Sequence, residues 1–152
     1  MGVLNHLIAP RRPGRKQLGA ALRSPLGALL LAQFERLGLG AGAVPADGAT
    51  GSAWSRGYVL GAACASLQQQ AGGSIGDREC FAAALAAFSM TYGEEQARNI
   101  LAATIAAAEA KEPEVEDGLL QGASDLAALA MGEADAATLA FATRNGEDVE
   151  IL

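Results

Sequence analysis

The sequence predicts an all-α protein, an irregular bundle of five to six helices, and three observations carry that reading. After residue 24 apolar residues recur at three- and four-residue spacing, period-two alternation of the strand kind persists nowhere, and helix start and stop residues punctuate the runs. Of the 152 residues 51% are hydrophobic, but 35 of them are alanine, against four Phe, two Tyr and one Trp. The chain is long enough to bury a core without disulfides or a structural metal. A core of small side chains lets helices approach closely and gain stability from backbone contact.

Residues 1–23 read as a basic N-terminal arm broken by Pro10, Pro13 and Gly14, and residues 24–152 as a single helical domain. Ser24 before Pro25 is a capping side chain ahead of proline at the first helical position. Leu26, Leu29, Leu30, Phe34 and Leu37 then follow at helical spacing until Gly38 or Gly40. "GLGAGAVPADGATGS", 38–52, is a loop. In the second helix, about 53–70, Trp54, Tyr58, Gly61 and Ala65 share one face while Leu60, Cys64 and Leu67 share another, which places it in the middle of the bundle. Asp77 is the expected cap of a third helix carrying Phe81, Leu85, Phe88 and Tyr92, stopped by Gly93. A fourth runs from Glu94 towards Lys111, with acids in its first turn, lysine in its last and Pro113 beyond. A fifth spans about 114–131, and a short sixth about 133–143, before a turn at "RNGED".

Two glycine pairs interrupt this pattern. Gly57 and Gly61 in the second helix, and Gly118 and Gly122 in the fifth, each cost a helix interior roughly 1 kcal/mol relative to alanine. Their four-residue spacing makes a smooth stripe on one helix face, assigned to close helix packing within the chain or to a subunit interface. The surrounding segments echo each other: "RGYVLGAACASL" at 56–67 aligns with "DGLLQGASDLAA" at 117–128. Two pseudo-repeated helical hairpins joined by the fourth helix would produce this echo; coincidence in so Ala- and Gly-rich a chain is the rival.

No motif identifies a reaction, so no catalytic residue is assigned and the enzyme reading leans to no. "GLGAGA" at 38–43 matches dinucleotide-loop spacing, but it follows a helix where that loop follows a strand. His6 is the sole histidine, and with two distant cysteines there is no zinc set, so neither metal nor cofactor is expected. Cys64 and Cys80 lie about one turn out of register in a hairpin turning near Gly73, which argues against a disulfide and for free thiols in a reducing cytoplasm. Glu109, Glu112, Glu114, Glu116 and Asp117 read as solvated acids at a helix start, and Asp117, Gln121 and Asp125 as a wet stripe along one face.

Charge is divided along the chain. Residues 1–36 carry a net +5 and the remainder −11, for −6 overall. Arg11, Arg12, Arg15, Lys16 and Arg23 are therefore the candidate contacts to an anionic partner. No aromatics interleave with them and the whole chain is acidic, which disfavours nucleic acid; a membrane surface is the alternative. No apolar run reaches the length of a membrane span, and Arg23, Pro25 and Glu35 break up the nearest approach to an export signal. The expected function is that of a small cytoplasmic bacterial accessory or adaptor protein acting through protein–protein contacts, as a homodimer. The alternative is a peripheral membrane or anionic-ligand binding protein using the basic arm.

Overall fold

The computed structural model describes residues 24–71, 76–135 and 139–150. The arm residues Arg11, Arg12, Arg15, Lys16 and Arg23 lie outside them. Six α-helices account for most of what is described: α1 (Pro25–Arg36), α2 (Ala53–Ala71), α3 (Asp77–Tyr92), α4 (Glu94–Glu109), α5 (Pro113–Ala130) and α6 (Ala140–Glu150), with one 3₁₀ turn at Ala49–Gly51.

Helix boundaries follow local chemistry in most places. The Ser24 side chain accepts from the Gly27 N–H at 3.4 Å, and Pro25 opens α1. The end of α1 is a Schellman turn: Leu39 N–H reaches Phe34 O at 2.8 Å and Gly38 N–H reaches Glu35 O at 2.9 Å. This geometry puts Gly38 at φ +75°, where a side chain would be strained. α4 ends the same way with a lysine in that position, Lys111 at φ 57°, so this residue lies beyond the helix and not in its last turn. At α3 the cap is Gly76 and Asp77 is the first helical residue; Glu79 reaches back to the Gly76 N–H at 2.6 Å.

The centre of the molecule is the crossing of α2 and α5, the most extensive helix contact. Gly57 faces the Val115 carbonyl, Gly61 that of Leu119, Gly118 that of Trp54 and Gly122 that of Tyr58. A Cβ on any of the four would overlap the opposing backbone; at Gly61 it would also stand 2.8 Å from the Leu119 Cα. The pairings advance in the same direction along both helices, so α2 and α5 run parallel where they cross. Adding 61 to the α2 numbers (57 to 118, 61 to 122, 54 to 115, 58 to 119) turns one half of this set into the other. The crossing therefore has a local pseudo-twofold axis.

That symmetry extends outward in kind, though not in extent. α3 packs on α2 as α6 packs on α5, and α4 packs on α3 as α1 packs on α6, the α3 contacts being the larger in both cases. The repeat is thus better described as two three-helix units, α1–α3 and α4–α6, each laying its first helix on the last helix of the other. α4 is a member of the second unit and not only a connector.

The 38–52 segment is the loop the sequence predicts, whereas the sixth helix departs from its expected bounds. The 38–52 loop is tied to the end of α3: Gly42 N–H donates to Met90 O at 2.5 Å, Val44 N–H to Thr91 O at 3.0 Å, and the Tyr92 hydroxyl to Thr50 O at 2.7 Å. Val44 is buried there. The sixth helix begins later than its sequence suggests and runs through "RNGED". Tertiary contacts override the turn-forming residues: Phe141 and Ala142 are fully buried, and the Asn145 side chain donates to Phe141 O at 3.0 Å and to Ser55 Oγ at 3.3 Å. Phe141 packs edge-on against Phe34 and beside Tyr58, both at 5.6 Å between ring centroids.

Candidate functional site

Among the described residues, chemistry concentrates at a buried polar node and in two clefts. The node joins α1, α2, α5 and α6. Gln33 stands among Leu29, Leu30 and Phe34 on the inner face of α1, fully buried. Its Nε2 donates to the Leu29 carbonyl and to the Tyr58 hydroxyl, each at 3.1 Å, and its Oε1 accepts from the Ala142 N–H at 2.9 Å. The Tyr58 hydroxyl in turn donates to Asp125 Oδ2 at 2.7 Å. Asp125 Oδ2 also accepts from the Ala140 N–H at 2.9 Å, and Oδ1 from Gln121 Nε2 at 2.7 Å.

Ala140 and Ala142 belong to the first turn of α6, whose N–H groups have no partners within the helix. Asp125 and Gln33 therefore cap α6 from two other helices, and the carboxylate meets the positive end of its dipole. Both oxygens of Asp125 are engaged and Tyr58 is out of contact with solvent. The polar groups of the node are partnered with one another and with the start of α6, so the node ties four helices together. The sequence reading of Asp117, Gln121 and Asp125 as one wet stripe is corrected here: Asp117 and Gln121 are exposed, while Asp125 turns inward.

Burial pushes the Tyr58 phenol well above its ordinary 10.0, and the hydrogen bond to Asp125 adds to it. Burial also raises the Tyr92 phenol, against the opposing charge of Arg56, and pushes the Cys64 thiol up to about 11. All three are held neutral in the folded state and ionise more easily in the unfolded chain. Their stability contribution is therefore complete below the ordinary values of 9.0 and 10.0 and is lost as pH rises through them. The melting temperature is expected to fall steadily above about pH 9 to 10, less steeply in Tyr58→Phe. Phenolate absorbance developing near pH 10 while helical circular dichroism stays intact would contradict this.

The first cleft, of about 330 Å³, lies between α2, α3, α4 and α5 and is lined by Leu60, Cys64, Cys80, Phe81, Ile105 and Leu119 among others. Both cysteines are free and half-buried. The second, of about 520 Å³, lies over the first turn of α2, walled by Ala53, Ala103, Ala106, Ala107 and Val115, with Arg56 and Glu112 as its charged groups. Arg56 donates from Nη2 to Ala46 O at 3.1 Å, and its Nε is buried without an acceptor.

Of the residues singled out from sequence, the structure brings Gly57, Gly61, Gly118 and Gly122 together within one chain. The acids Glu109, Glu112, Glu114, Glu116 and Asp117 are all exposed. Among the described residues no three His, Cys, Asp or Glu side chains are grouped to hold a metal. Sequence reading placed Tyr58 only on a packing face of the second helix and missed Gln33 and Arg56. A glutamine amid leucines in α1, and an arginine between Trp54 and Tyr58, are the signals that could have found them. No protein-family model matches the chain, and comparison with curated proteins and with solved structures likewise finds no match.

Proposed function

We propose that this chain is a small cytoplasmic adaptor that works through contact with another protein, including a second copy of itself, on the outer face of α5. One observation carries the reading: Leu120 and Met131, 71% and 68% exposed, are the large apolar side chains left on the surface of the described residues. They lie eleven positions apart, which is three helical turns, so they share one face of the helix whose opposite side is sealed against α2. Ser124, exposed, and Ala127, half-buried, lie between them, and Glu116 and Asp117 border the patch. Two large exposed apolar side chains on one helix face, with charge at its border, suit a small protein-binding surface. Two half-buried free thiols suit a reducing compartment, and no helix among the described residues is long and apolar enough to cross a membrane.

The test is a double variant, Leu120→Asp with Met131→Asp. Both positions are exposed, so the melting temperature should hold within about 0.5 kcal/mol of stability, while partner capture and any dimer mass in sedimentation equilibrium should be lost. Removing residues 1–23, and with them Arg11, Arg12, Arg15, Lys16 and Arg23, should leave both intact. Unchanged partners and mass in the double variant would refute the reading. Binding to anionic vesicles that disappears with the arm and with added salt would favour a peripheral membrane role in its place.

A further inference from the structure

We propose that the cleft over the first turn of α2 is a binding site for a small monocarboxylate with an apolar body, anchored by Arg56, for which indole-3-acetate serves as the probe. The site is separate from the outer face of α5 and does not depend on it. Its volume of about 520 Å³ falls in the range of small-molecule pockets. Its wall is mostly alanine and valine, Ala53 from α2, Ala103, Ala106 and Ala107 from α4, and Val115 from α5, and its one hydroxyl, that of Thr104, is already donated to the Ile100 carbonyl at 2.8 Å. An apolar body is what such a wall accepts.

Arg56 supplies the polar anchor. Its guanidinium is steered by the Ala46 carbonyl at 3.1 Å, leaving Nε buried with no acceptor, a costly state for a donor of a permanent cation. Its charge is felt by the buried Tyr92 phenol. The planar fork of a guanidinium matches the two oxygens of a carboxylate, and a small rotation of the side chain turns Nε–H and an Nη–H onto them. The other charged group of the cleft is Glu112, exposed at its rim. A second negative charge on the ligand would face it, which selects monocarboxylates over dicarboxylates and phosphate.

Indole-3-acetate, indole and inorganic phosphate, each titrated into the full-length protein and followed by amide chemical shifts, test the proposal. Indole-3-acetate is expected to bind saturably, with a dissociation constant below about 10 mM for a ligand of this size, and to shift Ala53, Arg56, Ala107 and Val115. Indole and Arg56→Gln should each weaken binding about tenfold or more, as loss of a charge-assisted contact does. Phosphate should not saturate. Ala103 is exposed on the cleft wall, so Ala103→Trp should block the site with the fold and Arg56 unchanged, and keeps the test valid if Arg56→Gln unfolds. No saturable binding of indole-3-acetate, equal binding of indole, or undiminished binding by Ala103→Trp would each overturn the proposal.

Discussion

Gly61→Leu is expected to lower the midpoint of thermal unfolding by about 6–12 °C, from a loss of about 3 kcal/mol or more in a chain of this length. The side chain would enter the Leu119 backbone directly, and a backbone carbonyl cannot rotate aside as a flexible side chain does. Alanine is the sharper test because its sign is diagnostic. In an exposed helix Gly→Ala stabilises by up to about 1 kcal/mol, whereas Gly61→Ala and Gly122→Ala should both destabilise, since even one Cβ overlaps the opposing strand of carbonyls. Gly146 in α6 is the internal control: a Cβ there would meet only Leu37 Cδ2 at 3.6 Å, an ordinary contact, so Gly146→Ala should hold or raise the melting temperature. The Gly61 and Gly122 effects should add to less than their sum, because the first substitution already separates the helices that the second would push apart. A higher melting temperature for Gly61→Ala would remove the close crossing from the account.

Asp125→Ala is expected to cost about 2–5 kcal/mol in urea unfolding, the penalty of leaving the Tyr58 hydroxyl and the Ala140 N–H buried without an acceptor. Tyr58→Phe should cost less, about 1–3 kcal/mol, because Asp125 Oδ2 keeps the Ala140 N–H and Gln33 Nε2 keeps the Leu29 carbonyl. The two losses share one hydrogen bond, so the double variant should fall short of additivity. The local signature is more specific than the total. Amide exchange at Ala140 and Ala142 should accelerate in Asp125→Ala well before α2 and α5 respond, because the carboxylate holds the start of α6. Uniform acceleration across all helices would make Asp125 an ordinary core residue.

Much of the helical layout is legible in the sequence because it is written in local chemistry. Ser24-Pro25 starts α1, Gly93 separates α3 from α4, and Pro113 opens α5; each acts within a turn of itself. The paired glycines are legible for the opposite reason: four such costs in two helix interiors need a tertiary cause. What could not be read is whatever depends on a distant partner. Asp125 has the same spacing from Asp117 and Gln121 as a solvated stripe would, and only the approach of Tyr58 from α2, 67 positions away in the chain, turns it inward. The start of α6 is hidden likewise, since its capping groups sit on α1 and α5. Arg56 looks like any helix-surface arginine until the alanines of α4 are seen to leave a cleft beside it.

The exchange of first and last helices between the two units sets the order in which the chain can mature. The Gln33–Ala142 hydrogen bond closes over 109 residues, and the Phe34–Phe141 contact over nearly as many. Such long closures are slow for a helical protein, whose contacts are mostly local. On a ribosome adding roughly 5–20 residues per second, α1 emerges about 5–20 s before the helix it must cover. Through that interval α1 has its contacts to α2 and α3 but not those to α5 and α6, and the first unit alone lacks both the glycine-matched helix and the α4 surface that its own α3 buries. A nascent chain of this fold is therefore expected to expose part of the Leu29, Leu30 and Phe34 face of α1 until α5 and α6 arrive, and truncation just before residue 140 should convert a folding protein into a degraded one.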